Sequence, residues 1–529
     1  MSNVQHGRRL YKQMALEVAV RNPERYEGIL KTFAKFEGRN LDDEGILDIY
    51  AQLYLDGVVT TPDFDVEDVS VSFLRRYIVE NKSHNNEWGF PTGYQAGFTR
   101  YLKTLSEFGF IYSQYDETLR LSDVAKAVVT GVLSLSEAFA LQSMRFWRKS
   151  PYRRVLNDYN FFKFILEVIQ RLNDIGKKLS YPQFMLALFS DDGNVDDFLS
   201  LIRDNKIGND MDAAYNLAVR KYNLIDSDHA KVNKMASCFN DYGNTVFRVL
   251  QLTGFITIDY QGTLLLSINT LRSDLLKELL SFDFSVPPIA QEDEYDYFML
   301  LGQLDETLLN TIIKYRDVQI ISVEGYNLKL KNIIQTYNLN KESLATYLNN
   351  VSEGRSDNKE FWYLQAPLKF EFLLSLFLYS CFGDTFEYKP NYLCDETGIP
   401  YSHAPGNIGD IEVYNDFKYW LVEATLIKGK TQQINNETIN LFRHIDQDKK
   451  GIKYLSLVAP YIHPDTELLI KAATVVTIIE SNNTLFAKPT ATRDFVIEAI
   501  EGQSFENMQK FTKDFIELLN NKMKSFDAV

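Results

Sequence analysis

Ile408-Gly409-Asp410-Ile411-Glu412-Val413-Tyr414, then Asn415-Asp416-Phe417, then Lys418-Tyr419-Trp420-Leu421-Val422-Glu423-Ala424-Thr425-Leu426 decide how the C-terminal part of this chain reads. Two strands, Ile408 to Tyr414 and Lys418 to Leu426, flank a short polar turn. If the turn is centred at Asn415-Asp416, Asp410 lies opposite Leu421; if it is centred one residue on, Asp410 lies opposite Glu423. Side chains alternate with period two, so either register puts Asp410, Glu423 and Thr425 on one face of the sheet. Glu412 shares that face by the same alternation.

Outward from this hairpin, the pattern predicts an apolar helix from Ala366 to Cys381 and a loop at Gly406-Asn407 before it. After it come a helix from Gln432 to Ile445 and a buried strand from Tyr454 to Pro460. Helix, strands, helix, strand is the core order of the PD-(D/E)XK nuclease fold, an α/β domain. Two carboxylates on one face suit Mg²⁺, a hard cation that takes oxygen ligands and keeps several waters. Asp410 and Glu423 are the metal pair of this reading, with Glu437 as a third ligand. Glu371, in the helix before the hairpin, and Glu437, in the helix after it, bring acids from neighbouring elements. Gln433, Glu437 and His444 fall at i, i+4 and i+11, one face of that second helix. The histidines form no HExxH and no paired Cys/His spacing, which disfavours zinc, and no GxxxxGK[ST] cradles a phosphate.

The 529 residues exceed what one core holds, since single cores stop growing near roughly 250 to 300 residues. With 45% apolar and 13% aromatic residues the chain is of the globular class. Its 56 Lys+Arg against 71 Asp+Glu leave a net charge of −15, so binding to a polyanion must come from local basic patches. Three scattered cysteines fit neither a disulfide framework nor a metal knuckle and point to a reducing, cytoplasmic setting. Charges near the N-terminus leave no signal-type apolar run. Uncharged stretches such as Phe372 to Gly383 fall short of the roughly 20 residues that span a bilayer, so no membrane association is expected.

The N-terminal part repeats itself. Gly109-Phe110-Ile111 recurs as Gly254-Phe255-Ile256, an offset of 145 residues, and Tyr115/Tyr260, Thr118/Thr263, Leu119/Leu264 and Leu121-Ser122/Leu266-Ser267 continue the match without a gap. In each copy a helical stretch runs into the Gly, two short strands follow around a polar turn, and another helix comes next. That is the order of a winged helix-turn-helix, whose helix before the hairpin can enter a major groove; a packing module is the alternative. The two modules are placed at about 68–135 and 208–280. Arg145, Arg148, Lys149, Arg153 and Arg154 form a basic run with no acid among them, interleaved with Phe146, Trp147 and Tyr152. These residues, with Arg100 and Lys103 in the first helix and Arg248 in the second, are the DNA-binding candidates. Pro287-Pro288 followed by Glu292 to Asp296, and the polar Ser352 to Lys359, mark boundaries. They give a recognition region at 1–284, a helical linker or spacer at 285–355 and a nuclease domain at 356–529.

Gly398-Ile399-Pro400, His403-Ala404-Pro405-Gly406-Asn407-Ile408-Gly409-Asp410, Val422-Glu423-Ala424-Thr425 and Arg443-His444-Ile445 together resemble the AlwI family of type IIS restriction endonucleases, which includes nicking enzymes. Arg21-Asn22-Pro23-Glu24-Arg25 through Phe36-Glu37-Gly38 looks like the start of that family's recognition region. The resemblance implies a Mg²⁺-dependent deoxyribonuclease that reads a short asymmetric site in double-stranded DNA and cuts a few base pairs away. It carries catalytic roles onto Asp410, Glu423, Glu371, Glu437 and Thr425. Thr425 stands where the wider nuclease fold usually has Lys, which leaves activation of the attacking water open among Glu437, Lys428 and a second metal. One site hydrolyses one strand, so double-strand cleavage calls for a second nuclease subunit or a transient homodimer. Two rivals remain: a DNA-binding regulator with a degenerate nuclease domain, and a structure-specific repair nuclease.

Overall fold

A computed structural model describes residues 17–527 apart from 18, 62, 65, 81–92, 148–158, 222–237, 285–293, 317–322, 356–357, 405–407, 446–450 and 482–483. The chain divides into two compact units, Met1–Gln319 and Ile320–Val529.

In the first unit the repeat extends further back than the matching residues. Its second copy contains α5 (Phe161–Asn173), β1 (Leu179–Ser180), α6 (Tyr181–Ala187), the further helices Val195–Asp204 and Met211–Lys221, α7 (Gly243–Leu252), β2 (Ile256–Tyr260) and β3 (Leu264–Ile268). The three strands form one antiparallel sheet in the order β1-β3-β2, Leu179 and Ile258 both pairing with Leu266. The first copy has α1 (Arg25–Ala34), α2 (Asp43–Leu55) and α3 (Gly93–Glu107) before its Gly. Its strands shrink to isolated antiparallel bridges, Asn40 with Thr118 and Ile111 with Leu121.

Turn position explains the shortened hairpin. The left-handed turn residue is Asp116 (φ 63) in the first copy and Gly262 (φ 77) in the second. By the 145-residue offset Asp116 corresponds to Gln261, so the second turn comes one residue later and its pairing shifts by two. Ile256 therefore meets Ile268, whereas Ile111 meets Leu121. Ser113 then takes over ladder positions, its hydroxyl donating to Thr118 O at 3.1 Å and accepting from Arg120 N at 3.1 Å.

Helix α4 (Leu135–Arg145) follows the first copy, and α8 (Glu294–Leu301) also belongs to this unit. Phe298 stacks on Tyr112 at 4.9 Å, and a Cβ on Gly109 would come within 2.7 Å of Leu301 Cβ. Phe298 and Leu301, which fall inside the expected spacer, are thus part of a packed core.

The second unit begins with α9 (Val323–Thr336) and α10 (Lys341–Ser352), both packed on α11 (Ala366–Phe382). The described part of the 285–355 span is therefore shared between the two units. Next come β4 (Glu387–Pro390), the small pair β5 (Leu393–Cys394) and β6 (Pro400–Ser402), β7 (Ile411–Tyr414) and β8 (Lys418–Ala424). A π-helical turn (Gln433–Thr438) leads into α12 (Ile439–Arg443), followed by β9 (Ile452–Ala459), α13 (Pro464–Ser481), β10 (Leu485–Ala491), α14 (Thr492–Ile500) and α15 (Ser504–Asp527).

Five strands make a mixed sheet in the order β10-β9-β8-β7-β4, antiparallel from β4 to β8 and parallel from β8 to β10. On one face Trp420 packs against Phe382, Phe495 and Phe505. On the other, Tyr419, Leu421, Leu455 and Leu457 pack against Leu441 and Ile470. Both edges are covered by side chains that imitate a strand. Asn327 accepts from Tyr388 N and donates to Phe386 O, each at 2.9 Å, along β4. Thr512 exchanges bonds with Ala487 N and O on β10.

The stretch Ala366–Thr385 is the one helix among the described residues long and apolar enough to cross a membrane. Phe372, Leu373, Leu374, Leu376 and Phe377 on it are buried in the unit, and its composition is that of a core helix.

Candidate active site

The β7–β8 turn selects one of the two registers. Asn415 Oδ1 accepts from Phe417 N and Lys418 N, both at 3.0 Å, and Asn415 N donates to Lys418 O. Ile411 consequently pairs with Val422, and Asp410, one residue before β7, falls opposite Glu423. The strand begins later than its apolar pattern predicts, because Asp410 uses its side chain instead of its backbone there. Its Oδ2 accepts from Ala424 N at 2.8 Å. Asn391 pins the same corner, its N donating to Asp410 O at 2.8 Å and its Nδ2 to Gly409 O at 2.6 Å. Gly409 is required by close approach, since a Cβ would sit 2.3 Å from Leu421 Cδ1 and 3.0 Å from Glu423 Oε1.

Four carboxyl groups gather at this end of the sheet. Asp410 and Glu423 share a hydrogen bond, and burial, then Glu423, then Glu371 push the Asp410 carboxyl well above the usual range. Glu371, from α11, is buried; its Oε1 lies 2.6 Å from His403 Nδ1, while Oε2 is enclosed with no hydrogen-bond partner. Glu423 Oε1 lies 2.7 Å from His444 Nδ1, both side chains being less than a tenth exposed. Glu437 enters from the π-helical turn. Burial foremost, then Glu423 and Glu371, raise its pKa to about 7 against the opposing effect of a hydrogen bond from the Thr425 hydroxyl.

The structure thus brings together Asp410, Glu423, Glu437, Glu371 and Thr425. His403 and Asn391 were not among the site residues expected from sequence. His403 stands in a coil and Asn391 just after a short edge strand, so no periodicity marks either one. Gln433, expected to share a face with Glu437 and His444, is fully buried and hydrogen-bonded elsewhere, because the π-helical turn breaks the 3.6-residue period. Lys428 is exposed.

One DNA-binding candidate is engaged within the first unit. Arg145, the last residue of α4, is buried, and its Nη1 donates to Leu301 O at 2.8 Å, Gln303 O at 2.6 Å and Gln142 Oε1 at 3.3 Å. Burial lowers its pKa to about 10. The guanidinium is a clamp on the end of α8. Arg100 and Lys103 lie half-buried on α3. Arg248 on α7 is half-buried, donates to Asn244 Oδ1 at 2.9 Å and has its pKa lowered by burial. Arg148, Lys149, Arg153 and Arg154 lie outside the described residues.

Among the described residues no group of three or more His, Cys, Asp and Glu side chains is already disposed as the ligand set of one ion. The chemistry of the site nevertheless fits a hard divalent cation. Its donors are mainly carboxylate oxygens, one of them, Glu371 Oε2, is orphaned by burial, and two of the acids are forced toward protonation by their neighbours.

A mixed sheet with four carboxyl groups gathered at the end of a β-hairpin marks this α/β unit as the place of the candidate site. The profile of the AlwI restriction endonuclease family matches residues 106–365 and 357–483, more than half of the chain. The chain belongs to the AlwI restriction endonuclease family, a family of DNA endonucleases. Among solved structures it is similar to the small subunit of the heterodimeric restriction endonuclease R.BspD6I, at 18% identity over 34% of this chain and 88% of that one, with a TM-score of 0.25. No curated protein matches the chain.

Proposed function

We propose that the chain is a Mg²⁺-dependent type IIS endonuclease, its first unit reading a short asymmetric DNA site and its second hydrolysing a phosphodiester nearby. The observation that carries this reading is the meeting of Asp410 and Glu423, from adjacent strands, with Glu371 and Glu437, from the helices on either side. The order α11, β4, β7, β8, α12, β9 supports a PD-(D/E)XK assignment. The β1-β3-β2 sheet with α6 after β1 and α7 before the β2–β3 hairpin, two further helices lying between α6 and α7, supports a winged helix in the second repeat, and the bridged first copy is its shortened relative.

Asp410, Glu423 and Glu437 would hold the cation. Bound Mg²⁺ supplies charge neutralisation at the phosphodiester and acidifies water. His444 orients Glu423, and His403 does the same for Glu371. Thr425 cannot carry the positive charge usual at its position. Its hydroxyl instead holds Glu437, and activation of the attacking water falls to Glu437, Lys428 or a second cation. In the first unit, Arg100 and Lys103 on α3 and Arg248 on α7 are the base-reading candidates. Arg148, Lys149, Arg153 and Arg154 remain phosphate-contact candidates. A single site cuts one strand, so a double-strand break requires a second subunit.

The test is incubation of purified full-length protein with Mg²⁺ and random-sequence duplex DNA, followed by run-off sequencing. A single short motif with a constant cut offset is expected. Cleavage confined to branched DNA would make this a repair nuclease, and specific binding without cleavage would make it a regulator.

A further inference from the structure

Resting on the nuclease reading above, we propose that Gln433 is a positioning residue that sets Glu437 against Thr425 at the hydrolytic site. The Gln433 side chain is fully buried and every hydrogen-bonding capacity of its amide is used. Nε2 donates to Ile427 O at 2.9 Å and to Tyr461 O at 2.6 Å. Oε1 accepts from His463 N at 3.1 Å and from Thr466 Oγ1 at 3.1 Å. One side chain thereby joins the coil after β8, the coil after β9 and the first turn of α13 to the π-helical turn.

That turn is where Glu437 sits. A π turn is rare and persists where surrounding contacts hold it. Here Thr438 Oγ1 donates to Gln433 O at 3.2 Å, so the residue five positions on lies beneath Gln433 where an α-helix would place the residue four positions on. Glu437 is rotated off the buried underside and toward the other acids. The hydrogen bonds then close a circuit. Gln433 holds the Ile427 carbonyl, Ile427 N donates to Thr425 Oγ1 at 3.2 Å, and that hydroxyl is left to donate to Glu437, four residues along from Gln433. Both partners of the Thr425–Glu437 bond are placed by the same amide.

A merely structural clamp would lower stability without coupling to Glu437, and a double-mutant cycle separates the two cases. Gln433→Met keeps length and loses all four bonds; Thr466→Val removes one of them and is the milder variant should Gln433→Met fold poorly. In single-turnover cleavage with Mg²⁺, Gln433→Met is expected to lose about 10- to 100-fold in rate, as misplacement of a reacting group does. Affinity for DNA measured without divalent ion should stay within about twofold, because phosphate contacts dominate it. In a Glu437→Gln background the same substitutions should cost about threefold or less, since the group they position is already gone. Amide exchange of the metal-free protein should speed at Ile427 and His463 and stay unchanged in β8 and β9.

Full multiplication of the Gln433 and Glu437 effects, or exchange that speeds throughout the unit, would overturn the assignment while leaving the nuclease reading intact. A wild-type protein that cuts no DNA would overturn both.

Discussion

Each unit buries charged side chains, and the difference lies in what surrounds them. Around Arg145 the acceptors are neutral: two backbone carbonyls and one amide oxygen, all within 3.3 Å of one guanidinium nitrogen. Around Asp410 the neighbours are other acids, with Glu423 sharing its hydrogen bond and Glu371 adding repulsion. Burial penalises the charged form at both places. At Arg145 the negative charge of Asp305 opposes that penalty, and a pKa of about 10 leaves the cation charged at neutral pH. At Asp410 and Glu437 the penalty is compounded, and any cation that enters will relieve it. A buried charge is therefore a clamp when its partners are complementary and a site when they are alike.

The widest gap between the two places should open on substitution. Asp410→Ala or Glu423→Ala is expected to reduce cleavage by about 1000-fold or more, since removing a ligand for the polarising ion forfeits several kcal/mol in the transition state. DNA binding, measured by gel shift with Ca²⁺, should persist. Cleavage at a near wild-type rate by Asp410→Ala would dissolve the contrast. Arg145→Ala should do the opposite. It leaves the Gln303 carbonyl without that donor and the Leu301 carbonyl to Gln142 Nε2 alone, and should cost the first unit about 1 to 3 kcal/mol in a urea titration. Its effect on the salt dependence of DNA binding should be nil; a log–log slope lowered by about 1 would return Arg145 to the phosphate contacts.

These two places were unequally legible in the sequence. Asp410, Glu423 and Thr425 could be set on one face because strand alternation survives a shift of the turn, even while the register stayed open. The choice was made by Asn415, whose side chain closes the turn through Phe417 N and Lys418 N. The burial of Arg145 has no signal in the sequence, because charge along a chain carries no sign of packing. Phe146, next to it in the basic run, is buried, and α4 carries Arg145 inward as well. The π-helical turn was invisible to a pattern that assumes 3.6 residues per turn. Strand β10 was missed because Pro489 reads as a strand breaker; it is tolerated at the sheet edge, where it lies opposite Leu457. A Pro-Pro and acid-rich stretch describes only its own residues, so the helices α8, α9 and α10 that fall within the 285–355 span carry no signal of the unit each belongs to.

A pH experiment sharpens the comparison further. Asp410 and Glu437 both have folded-state pKa values raised above the ordinary carboxylate range, Glu437 to about 7. Between that ordinary range and about pH 7 the folded protein binds more protons than the unfolded chain, so its stability falls as pH rises through the window. Divalent cation competes with those protons and should raise the melting temperature of the second unit more at about pH 8 than at about pH 6. The shift should be a few degrees in Mg²⁺ relative to chelator. Glu437→Gln, which removes the titrating group, should flatten the pH dependence. A larger effect of Mg²⁺ at the lower pH would mean that the acids are not crowded as described.

The smallest effect is expected two residues from the largest. Glu412 shares the sheet face of Asp410, and distance along the strand alone does not separate their roles. Its surroundings do. Lys389 lies directly across on β4, and its Nζ donates to Glu412 Oε1 at 2.8 Å, with Asn391 Nδ2 donating to the same oxygen at 3.1 Å. This acid has the complementary partners that Asp410 lacks, which places it with Arg145 in kind despite its address. The Lys389 side chain is 40% exposed, so solvent screens the pair and its worth is about 1 kcal/mol or less. Glu412→Gln keeps an oxygen for Asn391 and gives up only the charge. Cleavage within about twofold of wild type is expected, since no reacting group is lost, together with a loss of stability that fades as added salt screens the wild-type pair. If Glu412→Gln is the dead variant and Asp410→Ala still cuts, the ion sits further down the strand, and complementary neighbours do not distinguish a clamp from a site.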